Sequence, residues 1–393
     1  MSTQQKQSRR MFLGKATMAV CSLGTGLAIA ETASKSVLGK TKNPFSHNPV
    51  IAEQAKGTAI IFDADHKLGH CLFDNSFIGV YKKDFVDFKT IVKEAKTSGK
   101  PIILNLGDSS TSGWNSDVIT ENRGRQKMRL PILSPFYTYP TYSDLLAEGS
   151  DYYVINAGVP GYGSLQGLRY LNRILDGLAE FGMMPYCVTI YFGNNDSAWN
   201  GNIEDKYQIA DAKARFYLVA LMKRVMNRMV IVTRSSPSDY EDNLIEMVQL
   251  CRFRGIAPIL IEPAIPKFWH PGLRGRGMLN EVNDFLAKTE MYAVTIALKR
   301  AMRIYQKGVD AYHTGEIDIA ERDFTSAQNL DFLVPRIKPD HREKFRAVAD
   351  KLKVPFVSVQ SNIPLDDREY FIDYCHPVEP ANRMIARALL EII

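Results

Sequence analysis

Cysteine is scarce in this chain, with five in 393 residues, and no two of them form a Cys-x-x-Cys pair. The missing pair excludes the zinc-ribbon and thioredoxin-type sites that such spacing builds. His66, His70 and Cys71 make one local cluster with metal-ligand chemistry. The two histidines would share a face only on a helix, and Gly69 between them argues against one, so no metal is expected. A recognisable phosphate-binding loop is also missing, so no cofactor is expected. The apolar stretch from Ala16 to Ala30 falls short of the ~20 residues that a membrane span needs.

What the N-terminus has instead is an address. Ser8-Arg9-Arg10-Met11-Phe12-Leu13-Gly14-Lys15 pairs two arginines with Phe-Leu and a lysine, the pattern of a twin-arginine export signal. The apolar stretch follows, and Ala28-Ile29-Ala30 supplies a small-x-small cleavage site. Val20 before Cys21 is a poor residue for lipid processing. Residues 1–30 therefore read as a signal peptide, and a periplasmic or extracellular location is expected. Setting aside Lys6, Arg9, Arg10 and Lys15 brings 49 basic residues to 45, against 43 acidic ones. The formal charge of +6 is then largely the signal's, and no nucleic-acid partner is expected. In an oxidising compartment Cys71, Cys187, Cys251 and Cys375 could form disulfides, but their spacing does not pair them.

Beyond the signal, residues 31–98 read as an arm and flap with short extended pieces. Five short apolar runs then read as buried strands: 101–106, 152–156, 187–192, 257–261 and 355–359. Amphipathic helical patterns separate them at 165–178 and 240–254, and a further helix is expected over 380–390. This alternation predicts an α/β fold with a parallel sheet covered on both faces. Residues 264–350 interrupt the rhythm and read as a mainly helical insert. Within it Gly308, Ala311, Tyr312, Gly315, Ala320, Phe324, Ala327 and Leu330 follow the spacing of one tetratricopeptide repeat. One copy cannot form a solenoid, so a hairpin packed on the main domain is expected, with a protein-partner surface as the alternative.

Three motifs begin where an apolar run ends, which places them on the edge of the sheet where such folds bind ligands. Gly107-Asp108-Ser109 offers a serine at a strand-to-helix turn. Asn156-Ala157-Gly158 and Gly193-Asn194-Asn195-Asp196 offer oxyanion donors, the backbone of Gly158 and the amide of Asn195. Asp373-Tyr374-Cys375-His376 adds a histidine with an acid three residues before it. A serine hydroxyl needs a base, and the base needs an orienting acid. Ser109, His376 and Asp373 fill those roles, with the Ser109 N–H, Gly158 and Asn195 as the oxyanion hole. His270 has no nearby acid and reads as a surface or substrate-facing residue. Trp114, Tyr162 and Trp199 lie close to the motifs and would either stack on sugar rings or pack in the core.

These four segments resemble the blocks of the SGNH hydrolases, also called GDSL esterases, over residues 100–262 and 355–393. The resemblance implies a three-layer α/β/α flavodoxin-like fold with five parallel strands in the order 2-1-3-4-5. It also implies ester hydrolysis through an acyl-serine without a cofactor. With the export signal, it favours O-acyl groups on carbohydrate or cell-envelope material as substrates. An O-acyltransferase using the same triad and a non-enzymatic binding module are the other readings. Intact Ser109, Asn195 and His376 argue against the second.

Overall fold

The computed structural model describes residues 62–393, apart from 66–68, 73–75, 81–84, most of 116–138, 200–228, 274–278 and 289–291. The expected signal and linker, and His66, lie outside the described residues.

The first described elements are short antiparallel strands. β1 (Phe62–Asp65) pairs with β2 (Gly69–Leu72), and β3 (Phe77–Ile78) pairs with β4 (Phe85–Val86). A helix absent from the sequence reading follows, α1 (Phe88–Ser98). Asp87 caps it by accepting from the Thr90 N–H at 3.0 Å, and Gly99 ends it in the left-handed region. Its buried stripe is only Ile91, Val92 and Ala95, too few to stand out against three lysines and a glutamate.

Five parallel strands form the centre of the main sheet: β5 (Ile102–Gly107), β6 (Tyr153–Gly158), β7 (Cys187–Tyr191), β8 (Ala257–Ile261) and β9 (Phe356–Val357). The sheet order is β4-β3-β6-β5-β7-β8-β9. Its parallel part carries the expected 2-1-3-4-5 order. The strand count differs from five because β3 pairs antiparallel with β6, Ile78 opposite Asn156, and β4 extends the sheet beyond it. This covers an edge that would otherwise leave backbone groups unpaired. Two-residue strands are too short to show an alternating pattern, so no residue pattern announces them.

Side chains alternate across the sheet and build two apolar layers. Ile102, Leu104 and Leu106 join one core with α4 (Ser164–Glu180) and α5 (Pro237–Phe253). Ile103 faces the other core, with α3 (Tyr142–Glu148) and α10 (Glu379–Leu390). The remaining short helix, α2 (Ser109–Ser112), follows β5 directly.

The region after β8 holds α6 (Leu279–Lys288), α7 (Ala293–His313), α8 (Ile317–Leu330) and α9 (Pro339–Leu352). α7 and α8 form the expected hairpin, in which Ala311, Ala320 and Phe324 pack with Phe268, Tyr305 and Tyr312. α9 corrects the expected insert boundary. Its Phe345, Val348 and Ala349 belong to the main apolar core, so α9 is the crossover helix between β8 and β9 and the insert ends near Lys338. No helix among the described residues is long and apolar enough to cross a membrane.

Candidate active site

β5, β6 and β7 run in register, with Gly107 opposite both Gly158 and Tyr191, so their following loops leave the sheet together. The first loop is a single tight turn. Asp108 caps α2, its Oδ1 accepting from the Ser110 N–H at 2.8 Å, and Ser109 stands at the first helical position. Backbone N–H groups at a helix start favour negative charge there. Ser109 is 8% exposed.

The histidine loop is fixed by its own acid. Asp373 Oδ1 accepts from the N–H groups of Cys375 and His376, both at 3.0 Å. Its Oδ2 lies 2.6 Å from His376 Nδ1. The Ile372 N–H donates to the His376 carbonyl at 3.0 Å and closes the turn. Ser110 Oγ donates to the Cys375 carbonyl at 3.3 Å, joining the serine turn to the histidine loop. With a carboxylate on Nδ1, the neutral ring carries its proton there and leaves Nε2 as an acceptor. Nε2 is buried and makes no hydrogen bond among the described residues, Ser109 Oγ included. Such bonds are often open in enzymes without substrate.

The second and third loops meet beside this pair. Asn195 Nδ2 donates to Asp108 Oδ2 at 3.1 Å and to the Tyr162 carbonyl at 2.9 Å. Gly158 lies elsewhere than its expected role requires. Its N–H donates to Asn156 Oδ1 at 3.0 Å, and it packs against the backbone of α2 so closely that a Cβ would sit 2.3 Å from the Ser112 nitrogen. Gly158 is therefore where the sheet approaches α2, with its donor already used. Gly161, three residues on, has φ +83°. Its carbonyl accepts from Arg234 Nη1 at 2.7 Å. Its N–H makes no hydrogen bond among the described residues.

Residues 106–297 match the model of the GDSL-like lipase/acylhydrolase family. The chain carries a GDSL-type hydrolase domain. Solved structures similar to it include a GDSL-like lipase from Bacteroides thetaiotaomicron, 13% identical, covering 78% of this chain and 98% of that one at a TM-score of 0.35. TesA is 16% identical, with 74% and 96% covered and a TM-score of 0.34. A catalytic mutant of an acetylxylan esterase from Geobacillus stearothermophilus is 14% identical, with 75% and 93% covered and a TM-score of 0.33. None of the curated proteins matches this chain.

In the hydrolase, the three aromatic residues expected near the substrate separate. Tyr162 is fully buried, edge-on to Tyr170 at 5.7 Å, and belongs to the core, so it offers no face to a sugar. Trp114 and Trp199 are half-buried, edge-on to Phe136 and Phe285 respectively. His270 lies at the insert, its Nδ1 2.7 Å from the Pro271 carbonyl and its ring against Tyr305. Cys187, Cys251 and Cys375 are buried free thiols.

Two titrating groups define the electrostatics. Burial pulls the His376 imidazole down, but the charge and hydrogen bond of Asp373, with the charge of Asp108, outweigh it and leave the pKa raised. Burial pushes the Asp108 carboxyl up to about 6, against its hydrogen bond from Ser110 and the charge of His376.

The insert reaches this edge through its last segment. The Ile337 N–H donates to Asn194 Oδ1 at 3.0 Å and the Lys338 N–H to Ser197 Oγ at 3.2 Å. The Trp199 N–H donates to the Phe332 carbonyl at 3.0 Å. A buried Arg336–Asp331 ion pair holds the segment from behind. Sequence reasoning missed this joint, because neither Asn194 nor residues 331–338 carry a pattern that points to the other. It also passed over Gly161, although the run Gly158-Val159-Pro160-Gly161-Tyr162-Gly163 contains it. Only a backbone angle tells these glycines apart.

Proposed function

We propose that this GDSL-type hydrolase is an exported serine esterase that cleaves O-acyl carboxylic esters on carbohydrate or cell-envelope material. The observation that carries the chemistry is the His376–Asp373 pair with its buried, unengaged Nε2, tied by Ser110 to the turn that presents Ser109. Ser109 Oγ attacks the ester carbonyl while His376 Nε2 takes its proton. Asp373 keeps Nδ1 protonated and stabilises the imidazolium. The carbonyl oxygen becomes an oxyanion that the Ser109 N–H, the Gly161 N–H and the Asn195 amide receive. Gly161 replaces Gly158 here because its N–H is the free one. His376 then gives its proton to the leaving alcohol, and water activated by the same imidazole releases the acid and restores the serine.

The export signal and the motif resemblance support an envelope or polysaccharide ester as substrate. Half-buried Trp114 and Trp199 are the remaining candidates to stack on a sugar ring. The test is a panel of p-nitrophenyl esters of rising acyl length, with a fluorophosphonate label read by peptide mapping. Wild type is expected to cleave a short ester and to be labelled at Ser109 alone, and Ser109→Ala to do neither while keeping its circular dichroism. Labelling elsewhere, or activity retained without Ser109, overturns the assignment.

A further inference from the structure

Asp108 stands outside the acid–base relay, yet it touches more of the site than its place in a helix cap requires. Its carboxylate is buried. Oδ1 accepts from the Ser110 N–H at 2.8 Å, and Oδ2 accepts from Asn195 Nδ2 at 3.1 Å, 87 residues away in the chain. The second contact matters because an amide has two unlike ends. One carries two N–H donors and the other an acceptor oxygen, and the two ends fill nearly the same space. A backbone carbonyl, Tyr162 O, and a carboxylate are the two partners of Nδ2 here, and both accept only.

We propose that Asp108 is a positioning residue that fixes the orientation of the Asn195 amide, keeping its N–H edge rather than its oxygen turned to the serine turn. This rests on the esterase reading above. Asp108 directly precedes the nucleophile, so the N–H that meets Oδ2 lies on the serine-turn side of Asn195; both N–H groups of Nδ2 are engaged in the enzyme without substrate, and this is the one that the developing oxyanion would share with Asp108. An amide turned the other way would present Oδ1 to that negative charge and raise the barrier. Ionised Asp108 forbids the turn, because its oxygen cannot donate to Oδ1. The Tyr162 carbonyl enforces the same choice from the other side, with the Gly161–Tyr162 segment anchored through Arg234 Nη1.

The test is a double-mutant cycle on Asp108→Asn and Asn195→Ala, read by the rate of Ser109 labelling with a fluorophosphonate and by kcat and KM on a short p-nitrophenyl ester. Asn is chosen because its oxygen still caps Ser110 while its NH₂ can donate to Oδ1 of Asn195, which permits the flip. Asp108→Asn alone is expected to lower kcat and the labelling rate on the order of tenfold, with KM little changed. In the Asn195→Ala background the same change is expected to have no further effect, because the amide it positions is gone. A merely structural role for Asp108 would instead give losses that multiply, and that result overturns the inference while leaving the esterase reading intact. If Asn195→Ala by itself alters neither rate, the oxyanion assignment fails and the inference with it. Thermal unfolding of all four proteins accompanies the kinetics, and a loss of rate that tracks a loss of folded protein counts against positioning.

Discussion

His376 carries two opposed pH dependences. Its raised pKa means that the folded protein holds the proton more tightly than the unfolded chain, whose histidine titrates near 6.5. The stability it contributes is present below about 6.5 and is lost as pH rises through the raised folded value. Catalysis needs the neutral ring, so activity is lost as pH falls through that same value. The acid limb of kcat/KM is expected above pH ~6.5. Asp373→Asn should move it downward, because Asp373 supplies the charge and the hydrogen bond that raise it. A limb unmoved by that substitution would assign the titration to another group. The two glycines of the second loop separate by measurement as well. Gly158→Ala forces a Cβ into the backbone of α2 and should lower stability in urea by about 1–3 kcal/mol or more. Gly161→Ala should spare the core and lower kcat, since its φ of +83° suits glycine and its N–H is proposed as an oxyanion donor. Equal losses of stability in the two would remove the distinction.

Among elements, α9 and the α7–α8 hairpin answer different questions. Phe345 on α9 is fully buried in the main core. Phe345→Ala should cost about 3–5 kcal/mol in urea unfolding. The hairpin packs mainly on itself and on Phe268 and Leu365. A deletion of 293–327 closed by a short linker should leave a folded protein that a fluorophosphonate still labels at Ser109. Extending the deletion through Lys338 removes the N–H donors that meet Asn194 and Ser197, and labelling should slow. Equal labelling of the two deletion proteins would mean that the joint does not support the third loop. Sequence showed the hairpin through its small and aromatic spacing. It showed nothing of the joint, because two backbone N–H groups have no signature in the residues that carry them.

At the scale of the whole molecule, the proposed N-terminal signal and the near-neutral remainder bear on where the enzyme works. Changing Arg9 and Arg10 to lysine should trap the precursor in the cytoplasm, read as uncleaved protein in a cell fractionation. Normal export of the double variant would rule out the twin-arginine route. The chemistry proposed needs no metal ligand or cofactor loop, since the serine turn, the histidine loop and the oxyanion donors come from one sheet edge.

Residue patterns alone carried the α/β class and the segments that meet at the site, and the motif resemblance implied the order of the parallel strands. Apolar runs ending in Gly107, Gly158 and Gly193 are local facts, and a parallel sheet must bring such ends to one edge. The Asp373–His376 pair was legible for the same reason, because three residues separate acid and base and one turn closes the distance. Which backbone donors are free was visible in the folded chain alone. Gly158 lost its expected role to a hydrogen bond from its own N–H to Asn156, Tyr162 lost its face to the core, and α9 left the insert for the main layer. Asp108 gained a partner 87 residues away. Residue type and spacing set what a group can do, but burial and competing partners are long-range properties, and they decide which of those capacities remains available at the site.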